Sequence, residues 1–345
     1  MKKLFLCFFL SACFNPLFSA ETHKSPMKSS IPKFRNIIVI GWDGSLRERV
    51  ELLLKQGQLP NLKSIIDHGS YVSTTITKDA TETKPGWTQI LTGYSSKTTG
   101  VLNNKFYAPI PKGLTVFERL SQKFGKKLKL IFLTGKVNNV GIRGPHNICM
   151  NCLKRSTINS KKTRWWDEFA ETPVFGGHKK IMNHREGEPY YYLYNSKVVD
   201  HFQTALIEGP NVLRKAFLVL DRVKNDAFFA FIHFEEPDEQ GHVFGENSKE
   251  YSKALMDNDI NLGKMLNKLK ELNLVNNTIL IVTTDHGFDI GKHSHHDARN
   301  TFLVSTIKNL RPTGDRLDIT PTIYELFDVD TRNFTPPIEG KSIIP

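Results

Sequence analysis

Three short, continuous apolar runs that each deliver an acid constrain this chain more than any other feature. Residues 36–41 (NIIVIG) lead into Trp42-Asp43-Gly44, residues 227–234 (AFFAFIHF) into EEPDEQGH ending at His242, and residues 277–284 (NTILIVTT) into Asp285-His286-Gly287. Unbroken runs of Ile, Val and Phe are the pattern of strands buried on both faces, which requires a mostly parallel sheet with helices on each side. Open sheets of that kind collect ligand groups at the carboxyl ends of their strands. The expected fold is therefore α/β, with a central mostly parallel sheet and helices on both faces. Residues 128–134, ended by Gly135-Lys136, are a further buried-strand candidate.

The remaining periodicities fit that architecture. Helices are expected over 46–55 and 62–67, broken at Gly57 and Pro60, with a strand over 70–77. The stretch TETKPGWTQILTG (81–93) predicts a helix beginning at Thr83, with Pro85 in its first turn and Trp87, Ile90 and Leu91 on its apolar face. Residues 199–223 read as helical with a break at Gly209-Pro210, and Tyr251, Leu255, Leu262, Leu266 and Leu269 form a helical stripe. A strand at 301–305 and a helix at 318–327 follow. Between about 137 and 200 the periodicity fades, which suggests an inserted lid whose aromatic residues either stack on a ligand or pack together. The whole of 36–345 is expected to form one domain.

Residues 1–20 (MKKLFLCFFLSACFNPLFSA) have two lysines, a short apolar run and then small residues, the pattern of an export signal, and 21–35 read as a polar leader. Leu10-Ser11-Ala12-Cys13 also resembles a lipoprotein cleavage site, which would leave Cys13 as a lipid anchor; either way the chain is expected to be exported, periplasmic or secreted. Loss of Lys2 and Lys3 with that segment takes the net charge from +12 to +10. A basic surface favours anionic partners, but the lysines are scattered and no nucleic-acid-binding motif is present, so specific nucleic-acid binding is not expected. Cys149 and Cys152 are expected to close a small disulfide in an oxidising compartment.

Each acid or histidine taken singly has a structural explanation as a cap or turn residue. Asp43, the pair Asp238/His242 and the pair Asp285/His286 at three strand ends, beside a histidine-rich loop at 293–296, are hard to reconcile with coincidence. Carboxylate and imidazole donors in this mixture suit zinc, and two divalent ions can hold the attacking and leaving oxygens of a displacement at phosphorus. Thr83 would supply the nucleophilic hydroxyl, because coordination lowers the pKa of a bound hydroxyl.

In the order IIVIGWDG, GQLPNLKSIIDHG, TKPGWTQILTG, TGVLNNKFY, EEPDEQGH, TTDHG, DITPTIYELF, the chain resembles the alkaline phosphatase superfamily, and most closely its type I phosphodiesterase/nucleotide pyrophosphatase family. The resemblance implies that Asp43, Thr83, Asp285 and His286 hold one metal, with Thr83 as nucleophile. Asp238, His242 and a histidine of the 293–296 loop, His295 ahead of its rival His293, would hold the other. It also implies that Asn104 contacts a phosphoryl oxygen. The family's Phe-Pro-Asn-His after the nucleophile is replaced here by Lys84-Pro85-Gly86-Trp87, and Lys84 is expected to bind an anionic substrate oxygen. The activity implied is hydrolysis of a small phosphate ester, a nucleotide or a lipid head group, through a phospho-threonine intermediate. A sulfatase, a phosphotransferase of the same superfamily and a non-catalytic basic surface-binding protein are the alternatives. Sulfatases make an aldehyde from Cys or Ser, which Thr83 cannot give.

Overall fold

The computed structural model describes residues 36–136, 139–140, 147–149, 181–183, 198–204 and 206–345. The expected export segment, the leader, Cys13, Cys152 and most of the 137–200 insertion, with its aromatic residues, lie outside the described residues, and Cys149 is described only as part of a strand backbone.

An eight-stranded sheet organises the chain, in the order β10-β2-β9-β8-β1-β7-β3-β6. Its centre is β8 (Thr278–Thr283), β1 (Asn36–Trp42), β7 (Ala227–Phe234) and β3 (Leu128–Thr134), all mutually parallel. On one side β9 (Asn300–Ser305) runs antiparallel to both β8 and β2 (Ser70–Thr75), and β10 (Thr313–Asp315) closes that edge parallel to β2. A separate two-stranded ribbon pairs β4 (Asn147–Cys149) with β5 (Ile181–Asn183).

The apolar strands are buried on both faces, and successive residues feed two different cores. Ile38, Ile40 and Trp42 of β1 pack with α1 (Arg47–Lys55), α2 (Pro60–His68), α6 (Gly209–Val223) and α8 (Lys249–Glu271). Ile37 and Val39 point the other way, toward α3 (Thr83–Thr92), α5 (Val116–Phe124) and α9 (Ile319–Leu326). A fully buried aliphatic or aromatic side chain contributes about 1.5–3 kcal/mol, so this double-sided packing is the main source of stability. The short helices α4 (Ser96–Thr99) and α7 (Asp238–Phe244) flank the carboxyl edge.

One expected helix is shorter than its periodicity suggests. Residues 199–204 and 206–208 are not helical: β6 (His201–Gln203) adds to the open edge of β3, and α6 begins only at Gly209. Asp200 secures the junction, its N–H donating to the Leu130 carbonyl and its Oδ2 accepting from the Leu130 N–H, both at 2.9 Å, while Phe202 stacks on Phe132. An unpaired strand edge outcompetes a local helical preference here. Pro210 then sits in the first turn of α6, where its missing N–H costs nothing.

Candidate active site

The four parallel central strands end at one edge, and each hands over polar residues there. β1 delivers Asp43, β3 delivers Lys136, β7 carries His233 near its end and leads into α7 with Asp238 and His242, and β8 leads into Asp285 and His286. Asp43, Asp238, Asp285, His286 and Thr83 are all at most 2% exposed, and His295 is 8% exposed. Charged groups so deeply buried are costly unless they are paired or ligate a cation.

Thr83 is the first helical residue of α3, with Glu82 as the N-cap. Its hydroxyl therefore does not cap the helix; Oγ1 lies 3.4 Å from His286 Nε2. Glu82 and Lys84 instead fasten the neighbouring loop. The Asn104 N–H donates to Glu82 Oε2 at 2.6 Å, and Asn104 Oδ1 accepts from the Lys84 N–H at 2.9 Å. The Lys84 ammonium donates to the Asn104 carbonyl at 2.8 Å and lies 3.8 Å over the Tyr107 ring. With Oδ1 engaged, what Asn104 can offer a ligand is its Nδ2 donor.

Three imidazoles share one arrangement. Nδ1 of His242 faces the His293 carbonyl at 2.9 Å, Nδ1 of His286 the Gly287 carbonyl at 2.9 Å, and Nδ1 of His295 the Thr81 carbonyl at 2.6 Å. A carbonyl only accepts, so each Nδ1 carries the hydrogen and each neutral ring presents a bare Nε2 lone pair to the site. His242 Nε2 and His295 Nε2 are 3.2 Å apart, and His242 Nε2 is 3.5 Å from Asp238 Oδ1. His286 Nε2 lies 3.4 Å from Asp285 Oδ2, 3.8 Å from Asp43 Oδ1 and 3.9 Å from Asp238 Oδ1. Those three carboxylate oxygens accept no hydrogen bond among the described residues. Lone pairs converging on lone pairs repel one another, and a cation between them reverses the sign of the interaction.

Two groups have metal-ligand spacing, Asp238/His242/His295 and Asp43/Asp238/His286. Nδ1 fixed on a carbonyl with Nε2 facing inward is also how protein scaffolds orient metal-binding histidines. The donor set thus fits divalent cations with a preference for nitrogen and oxygen, zinc foremost. His293 turns its Nδ1 to the His242 carbonyl at 3.1 Å, and the His296 N–H donates to Asp289, so His295 is the loop histidine whose ring joins the cluster.

Electrostatics follows from this burial. Burial pushes His286 down to about 3, helped by neighbouring His295, and also lowers His295, so both rings are neutral near pH 7. Burial would raise Asp43 and Asp238, but the Lys136 ammonium and the neighbouring histidines together outweigh it and hold both below the usual carboxylate range. Asp285 is raised well above its ordinary value, by burial first and by the charge of Asp43 second.

Four residues of the site were not among the candidates from sequence. Lys136 sits 3.0 Å from Asp43 Oδ1 and also pairs with Asp238. His233 Nε2 (2.8 Å) and Trp87 Nε1 (2.9 Å) both meet Asp43 Oδ2. Arg316, wholly buried, donates to the Asp285 carbonyl at 2.7 Å. His233 was detectable as the polar residue inside AFFAFIHF, and Lys136 as a cation just past a strand end. Nothing in the tail sequence singles out Arg316.

The family model of type I phosphodiesterase / nucleotide pyrophosphatase matches residues 37–335. A Xenopus laevis bis(5'-adenosyl)-triphosphatase is 24% identical over 279 residues, covering 76% of this chain and 49% of the relative. Human ectonucleotide pyrophosphatase/phosphodiesterase family member 1 is 26% identical over 258 residues, 74% of this chain and 24% of that one. The chain thus spans half or less of the length of these curated relatives. Among solved structures, murine ectonucleotide pyrophosphatase/phosphodiesterase 5, an inactive variant in complex with AMP, superposes with a TM-score of 0.56 at 14% identity, covering 88% of this chain and 97% of that one. A phosphonate monoester hydrolase from Silicibacter pomeroyi gives a TM-score of 0.56 at 15% identity, covering 90% and 76%. A protein bound to its substrate D-glucosamine-2-N,6-O-disulfate gives 0.57 at 14% identity, covering 90% and 79%. These likenesses extend over the sheet and its helices and establish the alkaline-phosphatase-like fold.

Proposed function

The chain belongs to the type I phosphodiesterase/nucleotide pyrophosphatase family, and on that premise we propose that it is an exported, metal-dependent phosphoric ester hydrolase that works through a phospho-threonine intermediate. The observation that carries the reading is the convergence of the Nε2 atoms of His242, His286 and His295 with carboxylate oxygens of Asp43, Asp238 and Asp285, with the Thr83 hydroxyl 3.4 Å from His286 Nε2.

In this reading Asp43, Asp285, His286 and Thr83 hold one divalent ion and Asp238, His242 and His295 hold the second. Bound ions of this kind lower the pKa of a hydroxyl and offset charge on phosphoryl oxygens. The deprotonated Thr83 Oγ1 attacks phosphorus, forming a P–Oγ bond as the bond to the leaving oxygen breaks. Water then attacks the same phosphorus, breaks the P–Oγ bond and returns Thr83 to its starting state. Asn104 donates from Nδ2 to a non-bridging oxygen, a contact that stabilises the charge developing there. Lys84 acts through Asn104, since its N–H and its ammonium both hold that residue. Substrates are small phosphate esters, and the AMP bound to the murine neighbour makes nucleotides the first class to try.

The test is turnover of aryl phosphate monoester, aryl phosphate diester and aryl sulfate by the zinc-loaded protein, by the chelated protein and by Thr83→Ala. The reading requires diester or monoester cleavage that falls to background on chelation and in Thr83→Ala while the variant still binds zinc. Cleavage of the sulfate alone, or cleavage that survives in Thr83→Ala, overturns it. The mass of the mature protein tests the export proposal, which predicts loss of about the first twenty residues.

A further inference from the structure

Among the described residues, Lys136 is the one buried cation that touches carboxylates of both proposed metal positions, and the two positions are not equally exposed to it. Asp238 divides its oxygens: Oδ2 pairs with the Lys136 ammonium, while Oδ1 accepts no hydrogen bond among the described residues and faces His242 Nε2 at 3.5 Å. Asp43 cannot divide its oxygens in that way. Its Oδ2 is filled by Trp87 Nε1 and His233 Nε2, so the oxygen left for a metal is Oδ1, 3.0 Å from the ammonium. Lys136 is itself 7% exposed and pairs with both carboxylates.

The contact has an electrostatic consequence: an ion at the Asp43–Asp285–His286–Thr83 position would take as a ligand the same Asp43 Oδ1 that Lys136 contacts, and so would sit beside a buried ammonium in a medium that screens poorly.

We propose that Lys136 acts as a built-in competitor of one metal ion: the Asp238–His242–His295 position binds its ion tightly, and the Asp43–Asp285–His286–Thr83 position binds only against the ammonium. The metal-free site keeps its carboxylates in place by the same contacts, because Lys136 bridges the ends of β1 and α7. A phosphate ester, being an anion, then supplies the negative charge that favours filling of the weaker position. The inference rests on the metal reading of the preceding subsection.

The experiment is zinc binding to the chelator-stripped full chain, followed by calorimetry and by elemental analysis after dialysis, for the wild type, Lys136→Met, Lys136→Gln and Lys136→Arg. The wild type is expected to show two separated classes of zinc. Loss of the charge in Lys136→Met should tighten the weaker class by at least about tenfold, whereas Lys136→Arg keeps the two classes apart. Lys136→Gln, whose amide can still donate to Asp43 or Asp238, gives the same answer if the methionine variant does not fold. A weaker class that is unchanged or further weakened in the neutral variants, with the tight class intact, overturns the proposal. Absence of any stoichiometric zinc in the wild type overturns the metal reading instead.

Discussion

Replacing Arg316 by methionine tests whether the site is braced from the chain's tail. The guanidinium is wholly buried and donates from Nη1 to the Asp285 carbonyl (2.7 Å), from Nη2 to the Ala80 carbonyl (2.8 Å) and from Nε to Gln89 Oε1. It therefore ties α3, the loop before it and the end of β8 to one point. A hydrogen bond from a charged donor is worth about 1.5–3 kcal/mol, so three amount to roughly 4–9 kcal/mol. Burial opposes this sum, pushing the guanidinium from 12.5 down to about 10. That difference corresponds to about 3 kcal/mol, which is returned when the charge is removed. Arg316→Met keeps an unbranched apolar stem and removes the guanidinium, so the net loss is expected near 3 kcal/mol, within roughly 1–6 kcal/mol. Urea denaturation of the chelated protein reads it directly. Arg316→Lys should recover little, since one ammonium does not reproduce a planar fork aimed at three acceptors. Because Nη1 holds the backbone of Asp285, zinc binding should weaken in Arg316→Met as well. A loss below about 1 kcal/mol, or full recovery with lysine, refutes the bracing argument.

Three further outcomes are expected. Trp87→Phe removes the indole donor to Asp43 Oδ2 and part of a ring packed on Phe231 and His233, and should cost about 2–4 kcal/mol in urea unfolding; a neutral result would mean that the bond to Asp43 carries no weight. If Lys84 acts through Asn104, Lys84→Met should lower kcat/KM for an aryl phosphate diester in the wild-type background but much less in Asn104→Ala, a coupling of about 1 kcal/mol or more; additive effects would instead make Lys84 an independent substrate contact. The chelated protein should also lose stability in mild acid. His286 has its value pushed down to about 3 from 6.5, so between those limits the unfolded chain binds a proton that the folded chain refuses, and stability falls as pH falls. His233 and His295 act in the same direction, while Asp285, raised by burial, opposes them by favouring proton uptake in the folded state. A urea midpoint lower at about pH 5 than at pH 7 is expected, with about 2 kcal/mol from His286 alone, and a higher one would refute the balance.

Much of this was legible because buried parallel strands write themselves as continuous apolar runs. β1, β3, β7 and β8 all lie where such runs occur, and the carboxyl-end rule puts Asp43, Asp238, Asp285 and His286 at one edge of the sheet, where their side chains meet. β6 was not legible, because its three residues owe their conformation to the open edge of β3 and not to a period of their own. Arg316 and Trp87 were missed as site residues for a similar reason. Their roles depend on which backbone carbonyl or carboxylate lies opposite, a long-range fact that local sequence does not carry. His295 could be preferred over His293 from the sequence only by its distance from the next strand; the direction of its ring is set by the Thr81 carbonyl, more than two hundred residues away.

The four residues that follow Thr83 show how such long-range facts constrain substitution. Where the family resemblance would place Phe-Pro-Asn-His, this chain has Lys84-Pro85-Gly86-Trp87. These are not independent changes. The Trp87 indole lies against β1 at Gly41, where an added Cβ would come within 2.5 Å of the ring, so the large ring on α3 requires the absent side chain on the strand. On the other side of the same turn, a Cβ at Gly86 would lie 2.7 Å from the Asp285 Cβ and 3.3 Å from Arg316 Nη1. Gly86 thus lets α3 close onto the end of β8, while Trp87 reaches across to hold Asp43 Oδ2 beside His233. The turn bearing Thr83 is thereby packed against two of the carboxylate-bearing strand ends at once. Lys84 faces the third side and fastens Asn104. The altered motif thus holds Thr83 beside the cluster of carboxylates and imidazoles through contacts of these four residues with the strand ends.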